Sequence, residues 1–223
     1  MHQQKGKKVL IYFFLLILVG SINNINLSNL KFDGIKDINL DGLSDKDNTI
    51  LLKEIHNLNL NNIFFVSKED IKNTIEANSL VEKYNIFKVY PNSLNINIKK
   101  TKFLARINNN GKIFLIGSNG KLSKNNISTI QLPFIFGNPE IKEFLNFKKI
   151  IDESKFSYDE IESLYFFSSK RWDLELKNKI IIKLSRNYPI NSLDLAFEFL
   201  NNNNLKDIKV IDVRLNNQII LNG

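Results

Sequence analysis

Ile86–Ile98 reads "IFKVYPNSLNINI", two β-prone runs on either side of a proline–asparagine pair. The first run, Ile86 to Tyr90, stops at Pro91-Asn92, a turn signal. In the second, Leu94, Ile96 and Ile98 alternate with Asn95, Asn97 and Lys99. A strand on a sheet with one wet face requires that alternation. A hairpin is expected here, and its surroundings decide which fold it serves.

Upstream, Ile35–Leu40 ("IKDINL") reads as a strand turned by Asp41-Gly42. Ser44 opens a helix with Asp47 three residues on, a capping-box spacing. Ile50, Leu51, Ile55 and Leu58 give that helix one buried stripe. After the crossover "NNIFFVS", Ser67 with Asp70 repeats the cap at a second helix carrying Ile71 and Ile75. Strand, helix, helix, strand, strand over about seventy residues is the order of a POTRA domain.

Downstream of Ile113 the chain turns β-rich. "KIFLIGSNGKLS" reads as two strands around Asn119-Gly120, a type I′ hairpin signal. In "LPFIFGNPE", Asn138 is the expected helix cap and Pro139 the first helical residue. A third capping-box spacing, Ser157 with Glu160, opens a turn or short helix before "IESLYFFSS". Trp172, Leu174 and Leu176 then alternate with Asp173, Glu175 and Lys177, Asn178-Lys179 turns, and Ile180, Ile182 and Leu184 return. A helix from Pro189 to about Leu200 carries Leu193, Ala196, Phe197 and Leu200 on one face. The last hairpin lies in "IKVIDVRLNNQIILNG", around Asn216-Asn217. The fold class expected is α+β, with an antiparallel sheet in the second unit.

The N-terminal stretch "KGKKVLIYFFLLILVGSINNIN" sets the compartment. Val9 to Val19 is unbroken apolar sequence, about 16 Å long as a helix against a hydrocarbon core of about 30 Å. A run this short fits a cleaved signal-peptide core as well as an anchor, and Val19-Gly20-Ser21 would serve as a cleavage site. Orientation is clearer, because Lys5, Lys7 and Lys8 precede the run and the next lysine is Lys31. By the positive-inside rule the N-terminus stays in the cytoplasm and the body is exported.

Composition bounds the rest. The chain has 223 residues, 43% hydrophobic and 24% charged, enough for a packed core and unlike a disordered chain. Its formal charge is +8, yet the lysines are interleaved with acidic residues, so nucleic acid is not implied. The one dense lysine cluster suits an anionic membrane face. There is no cysteine, which removes disulfides, thiolate catalysis and an N-terminal lipoprotein anchor.

No active site is legible. His56 has no companion at i+4 for a metal and reads as a plain surface or half-buried histidine. "GSNGK" (117–121) lacks the spacing of a phosphate loop and reads as a turn. Asp45/Asp47, Glu69/Asp70 and Asp159/Glu160 sit in first helical turns, where the helix dipole favours carboxylates. Arg171-Trp172-Asp173 reads as a core tryptophan flanked by a surface ion pair, with a binding role as the alternative. No catalytic, cofactor or metal residue, and no small-molecule substrate, is expected.

These motifs resemble the FtsQ/DivIB cell-division family. "INLDGLS" with its helix, "NIFFV", the second helix and "IFKVYPNSLNINI" look like the family's POTRA module. "LPFIFG", "KRWDLELKN" and "IDVRLNNQIIL" look like its β-domain motifs, in the right order. One departure is Lys100–Ala105, where the family has an acidic-basic pair and Pro-x-Ala and only Ala105 matches. The resemblance implies an uncleaved single-span protein of the inner membrane, acting at the division septum. The implied segments are a cytoplasmic tail (1–8), an anchor (9–27), a POTRA domain (32–107) and a β domain (108–223). It further implies a non-enzymatic scaffold that binds FtsB- and FtsL-type partners and helps control septal peptidoglycan synthesis. An FtsB-type partner would add a strand to the closing hairpin, whose last strand has few charges and nothing after it to cover it. The candidate contacts are Val213, Leu215, Ile219, Ile220 and Leu221, with Arg171 and Trp172 nearby. The rival readings are another POTRA-containing envelope protein, of outer-membrane assembly or secretion, and a cleaved soluble periplasmic protein.

Overall fold

The structure is a computed structural model and describes residues 3–22, 34–58, 60, 63, 66–124, 131–202 and 208–222. The end of the expected anchor (23–27), the start of the expected POTRA unit (32–33) and most of the "NNIFFVS" crossover lie outside the described residues. Helix α1 is Gln3–Ile22. It holds the lysine cluster within its own length, so its uninterrupted apolar part is only Val9–Val19. Among the described residues, no helix is long and apolar enough to cross a membrane.

The opening hairpin is present, and longer than expected. Strand β1 (Asp37–Asp41) is followed by helices α2 (Asp45–His56) and α3 (Lys68–Ala77), then β2 (Val81–Val89) and β3 (Ser93–Lys100). The sheet order is β1-β3-β2, with β1 parallel and β2 antiparallel to β3. Val89 pairs with Ser93 and Ile86 with Ile96 across the proline turn. Leu94, Ile96 and Ile98 are buried against Leu51 and Ile55 of α2 and Ile71 and Ile75 of α3. Both serines cap as the spacing required: the Asp47 N–H donates to Ser44 Oγ and the Asp70 N–H to Ser67 Oγ, each at 3.3 Å.

Two expectations in this unit shift. Ile50 is 46% exposed, because Leu51 and Ile55 take the α2 face that meets the sheet. Strand β2 starts at Val81 and not Ile86, since its outer face is wet and tolerates Lys83 and Asn85 opposite the inward Tyr84 and Ile86. Gly42 (φ +113°) is required where it stands: a Cβ there would lie 1.8 Å from the Ile98 carbonyl oxygen.

The second unit is one nine-stranded sheet. Its strands are β4 (Phe103–Asn109), β5 (Lys112–Gly117), β6 (Leu122–Ser123), β7 (Phe134–Phe136), β8 (Ile161–Phe166), β9 (Trp172–Leu176), β10 (Ile181–Leu184), β11 (Val210–Val213) and β12 (Ile220–Asn222). The order is β12-β11-β10-β9-β8-β7-β4-β5-β6. The expected antiparallel sheet is in fact mixed, for β4–β7, β7–β8 and β10–β11 are parallel. Helix α4 (Ile141–Glu153) connects β7 to β8, and α5 (Pro189–Asn202) connects β10 to β11. Parallel neighbours require crossovers of that kind.

Among the described residues, strand β4 pairs only in this sheet, and the two residues Thr101-Lys102 link it to β3. The α4 start moves from Asn138-Pro139 to Glu140, whose N–H donates to the Glu143 carboxylate at 3.1 Å. The left-handed pair of a type I′ turn is Asn110-Gly111 (φ 53° and 76°), between β4 and β5. At the expected site Gly120 has positive φ (76°) and Asn119 does not, so that turn is of another kind.

Both helices cover one face of the sheet in a single core. At its centre the Trp172 ring stacks on Phe147 of α4 (4.7 Å between centroids, 3° between planes) and tilts against Phe166 at 4.8 Å. Asp173, expected at the surface, is only 3% exposed.

Removing the Phe147 ring leaves a cavity under the one tryptophan. Phe147→Ala is expected to lower stability by about 3–5 kcal/mol, whereas Ile50→Ala, at an exposed site, changes it by about 0.5 kcal/mol or less. Urea unfolding followed by Trp172 emission checks both, and a similar cost for the two would contradict the core assignment.

Candidate functional site

The candidate site forms where the chain folds back on itself between β11 and β12. Val210 pairs with Asn222, Ile211 with Leu221 and Asp212 with Ile220. Asn217 takes a left-handed conformation (φ 57°) in the intervening turn, as an asparagine can. Strand β12 is the outer edge of the large sheet.

The Lys209 N–H donates to the Asn222 carbonyl at 3.0 Å, so the backbone of Asn222 faces β11. By the alternation of an antiparallel ladder, the N–H and C=O of Leu221 face outward, away from the sheet. Leu221 lies opposite the buried Ile211, on the helix-covered face, and is 46% exposed. Ile220 lies on the opposite face beside Asp212 and is 53% exposed. Leu215, in the turn, is also exposed, and Ile219 is half-buried against the core. An extended strand docked here would meet open backbone flanked by apolar side chains on both faces.

The structure separates the remaining sequence candidates from this edge. Val213 is buried on β11, and Trp172 is buried under α4. Strand β9, which follows Arg171 and begins at Trp172, lies three strand steps from β12, about 14 Å. Arg171 grips Asp173 through two hydrogen bonds, Nε to Oδ1 at 3.0 Å and Nη2 to Oδ2 at 3.1 Å. Its guanidinium also lies 4.3 Å from the centre of the Phe167 ring. Val213 and Trp172 therefore shape the sheet from within, and Arg171 braces its uncovered face.

A second pair was missed in the sequence. Asp212 and Arg214 repeat the Arg171/Asp173 pattern, opposite charges two residues apart on a strand, and the spacing in "IDVRL" was the available signal. Arg214 Nε reaches Asp212 Oδ1 at 2.8 Å and Nη2 reaches Oδ2 at 2.6 Å. Tyr165, Asp173, Lys183, Asp212 and Ile220 form one cross-strand row running out to the edge. Along it the charges alternate and then give way to an apolar residue.

The two aspartates are perturbed in opposite senses. Burial pushes the Asp173 carboxyl up, against the pull of Arg171, the Leu184 N–H and Lys183. The Arg214 guanidinium holds Asp212 below the usual carboxylate range. Among the described residues, no group of three His, Asp or Glu side chains is placed to hold a metal. His56 is exposed on α2, and "GSNGK" forms the β5–β6 turn.

Comparison with known proteins agrees with this architecture. Residues 34–100 match the POTRA domain, FtsQ-type, and residues 100–214 match the C-terminal domain of the cell division protein FtsQ/DivIB. The chain is 22% identical over 165 residues to a cell division protein FtsQ of Bradyrhizobium diazoefficiens, covering 70% of this chain and 47% of that one. It is 27% identical over 111 residues to a cell division protein DivIB of Staphylococcus aureus, covering 49% of this chain and 25% of that one. It thus spans about half the length of one of these relatives and a quarter of the other. Among solved structures, the major extracytoplasmic domain of the trans isomer of DivIB from Geobacillus stearothermophilus aligns with a TM-score of 0.34 and 11% identity, over 47% of this chain and 98% of that one. The chain belongs to the FtsQ/DivIB family of cell division proteins.

The opposed aspartates give a pH signature. Asp212, lowered by Arg214, adds stability above the ordinary carboxyl pKa of about 4, and that stability is lost as pH falls through its folded value. Asp173, raised by burial, acts in the other sense: its contribution is present below its unfolded pKa and lost as pH rises. Urea midpoints at pH 7 and pH 3 are expected to fall less on acidification in Asp212→Asn than in the parent chain. Equal falls would show that the Arg214 pair does not stabilise the last hairpin.

Proposed function

We propose that this chain is a non-catalytic assembly protein of the bacterial division machinery, and that β12 is its docking strand. An extended segment of a small single-span division protein of the FtsB type adds to that edge, with an FtsL-type protein in the same assembly. The complex acts at the septum, where it helps control septal peptidoglycan synthesis. One observation carries the reading: an edge strand without a single charge, its central backbone groups facing outward, with Ile220 and Leu221 exposed on opposite faces. Edges of this kind are ordinarily blunted by charge, proline or a cover. Strand addition gains affinity from the backbone and selectivity from alternate side-chain contacts. Among the described residues, the opposite end of the sheet, β6, is only two residues long.

Helix α1 is the membrane anchor in this reading, with Lys5, Lys7 and Lys8 on the cytoplasmic side and both folded units outside. A short apolar stretch is accommodated by local bilayer thinning and by lysines snorkelling to the interface. The juxtamembrane lysines meet anionic headgroups there.

Co-purification from detergent-solubilised native membranes tests the docking strand. The parent chain is expected to bring down a small single-span, coiled-coil division protein. Ile220→Asp places a charge in the docked interface, and Leu221→Pro removes the outward donor while sparing the ladder to β11. Each is expected to weaken capture by about thirtyfold or more, with Trp172 emission unchanged. Capture that is equal in all three chains, or that brings down no division protein, would overturn the proposal.

A further inference from the structure

We infer that Asn119 and Glu82 are positioning residues that lock the POTRA unit to the near end of the large sheet, so that β12 is carried at a fixed place relative to the membrane-proximal unit. The importance of that place rests on the docking role proposed for β12, but the lock itself does not.

The covalent link between the units is only Thr101-Lys102, and it does not hang free. Thr101 is 4% exposed, and its N–H donates to the Leu80 carbonyl at 2.8 Å. The Lys102 carbonyl accepts from the Ser118 N–H at 2.8 Å. The link is therefore paired on one side to the POTRA unit and on the other to the β5–β6 turn.

That turn reaches across the junction. Asn119 Nδ2 donates to the carbonyls of Ser79 (3.0 Å) and Val81 (2.8 Å), both in the POTRA unit. Its Oδ1 accepts from the Lys121 N–H at 3.0 Å, and its own N–H donates to Thr101 Oγ1 at 3.3 Å. A turn asparagine serving only its hairpin has no reason to satisfy two carbonyls about forty residues away. Lys121 adds a cation at the end of α3, its Nζ donating to the carbonyls of Glu76 and Asn78. Positive charge is favoured at a helix C-terminus.

Glu82 completes the network from β2. Its Oε2 accepts from Ser118 Oγ at 2.7 Å and from Thr101 Oγ1 at 3.0 Å. Gly117 leaves no slack: a Cβ there would lie 2.5 Å from Asn119 Oδ1 and 2.8 Å from Thr101 Oγ1. In so enclosed a network, removing one partner strands the others without a bond, which costs more than the bond itself contributes.

Sheet order turns this into a lever. From β5 to β12 there are seven strand steps, about 34 Å, so ten degrees of play at the junction would move the docking edge by about 6 Å.

The chain has no cysteine, so Lys72→Cys and Lys142→Cys, both at exposed helical sites, take the only two spin labels on the full-length protein in detergent. Pulsed electron paramagnetic resonance is expected to give one narrow distance distribution across the junction. Asn119→Asp keeps the acceptor for Lys121 but sets a carboxylate against two carbonyls, and Glu82→Ala removes the shared acceptor. Each is expected to lose the single narrow peak. Glu82→Gln retains an acceptor and is expected to keep it. Trp172 emission reports whether the β domain stays folded, and if Asn119→Asp unfolds it, Glu82→Ala decides. A broad distribution in the parent chain, narrow ones in every folded variant, or a Gln variant as broad as the Ala variant would overturn the lock. Loss of partner capture alone would leave these distances unchanged, so failure of the docking proposal and failure of the lock are distinguishable.

Discussion

An open β-sheet leaves a row of backbone donors and acceptors at each edge, and the fold must dispose of both. In this chain the two ends of the nine-stranded sheet are treated differently. One end tapers to the two residues of β6, beside the turn that grips the POTRA unit. The other end stops at β12 with Leu221 facing outward and no charge to discourage pairing. This asymmetry gives the sheet one end joined to the POTRA unit and one end left open at β12.

Between those ends the two faces of the sheet are held by different means. The covered face is packed with α4 and α5 around Trp172, where stacked rings fill the volume densely. Among the described residues no helix packs on the other face, and alternating charges span it: Arg171 on Asp173, Lys183 between the two acids, Arg214 on Asp212. Asp173 is nearly buried and stays satisfied because Arg171 and the Leu184 N–H reach it. Replacing either acid by an apolar residue would leave its arginine without that partner.

The sequence displayed the local chemistry well and the long-range pairing poorly. Leu94, Ile96 and Ile98 announced a one-faced strand through their period of two, and Ser44 and Ser67 announced helix starts through their side-chain oxygens. The closing hairpin was readable in "IDVRLNNQIIL", where Asn216-Asn217 turns one apolar run back on another. Parallel pairing of β10 with β11 was not, because it depends on where α5 lays the chain down and not on any residue in either strand. Burial of Asp173 was hidden for a similar reason: alternation placed it on the outer face, and only the neighbouring strands and Arg171 close over it. Asn119 misled in an instructive way, since its turn chemistry drew attention from two carbonyls in another unit that no local pattern reveals.

The central claim is that the backbone of β12 is vacant and receives a strand. Amide hydrogen exchange, resolved residue by residue in the detergent-solubilised chain with and without the co-purified partner, tests it most directly. The account predicts that the Leu221 amide exchanges fast alone and becomes protected on binding, while Ile220 and Asn222, already turned toward β11, change little. Protection that appears elsewhere and leaves Leu221 untouched would contradict it.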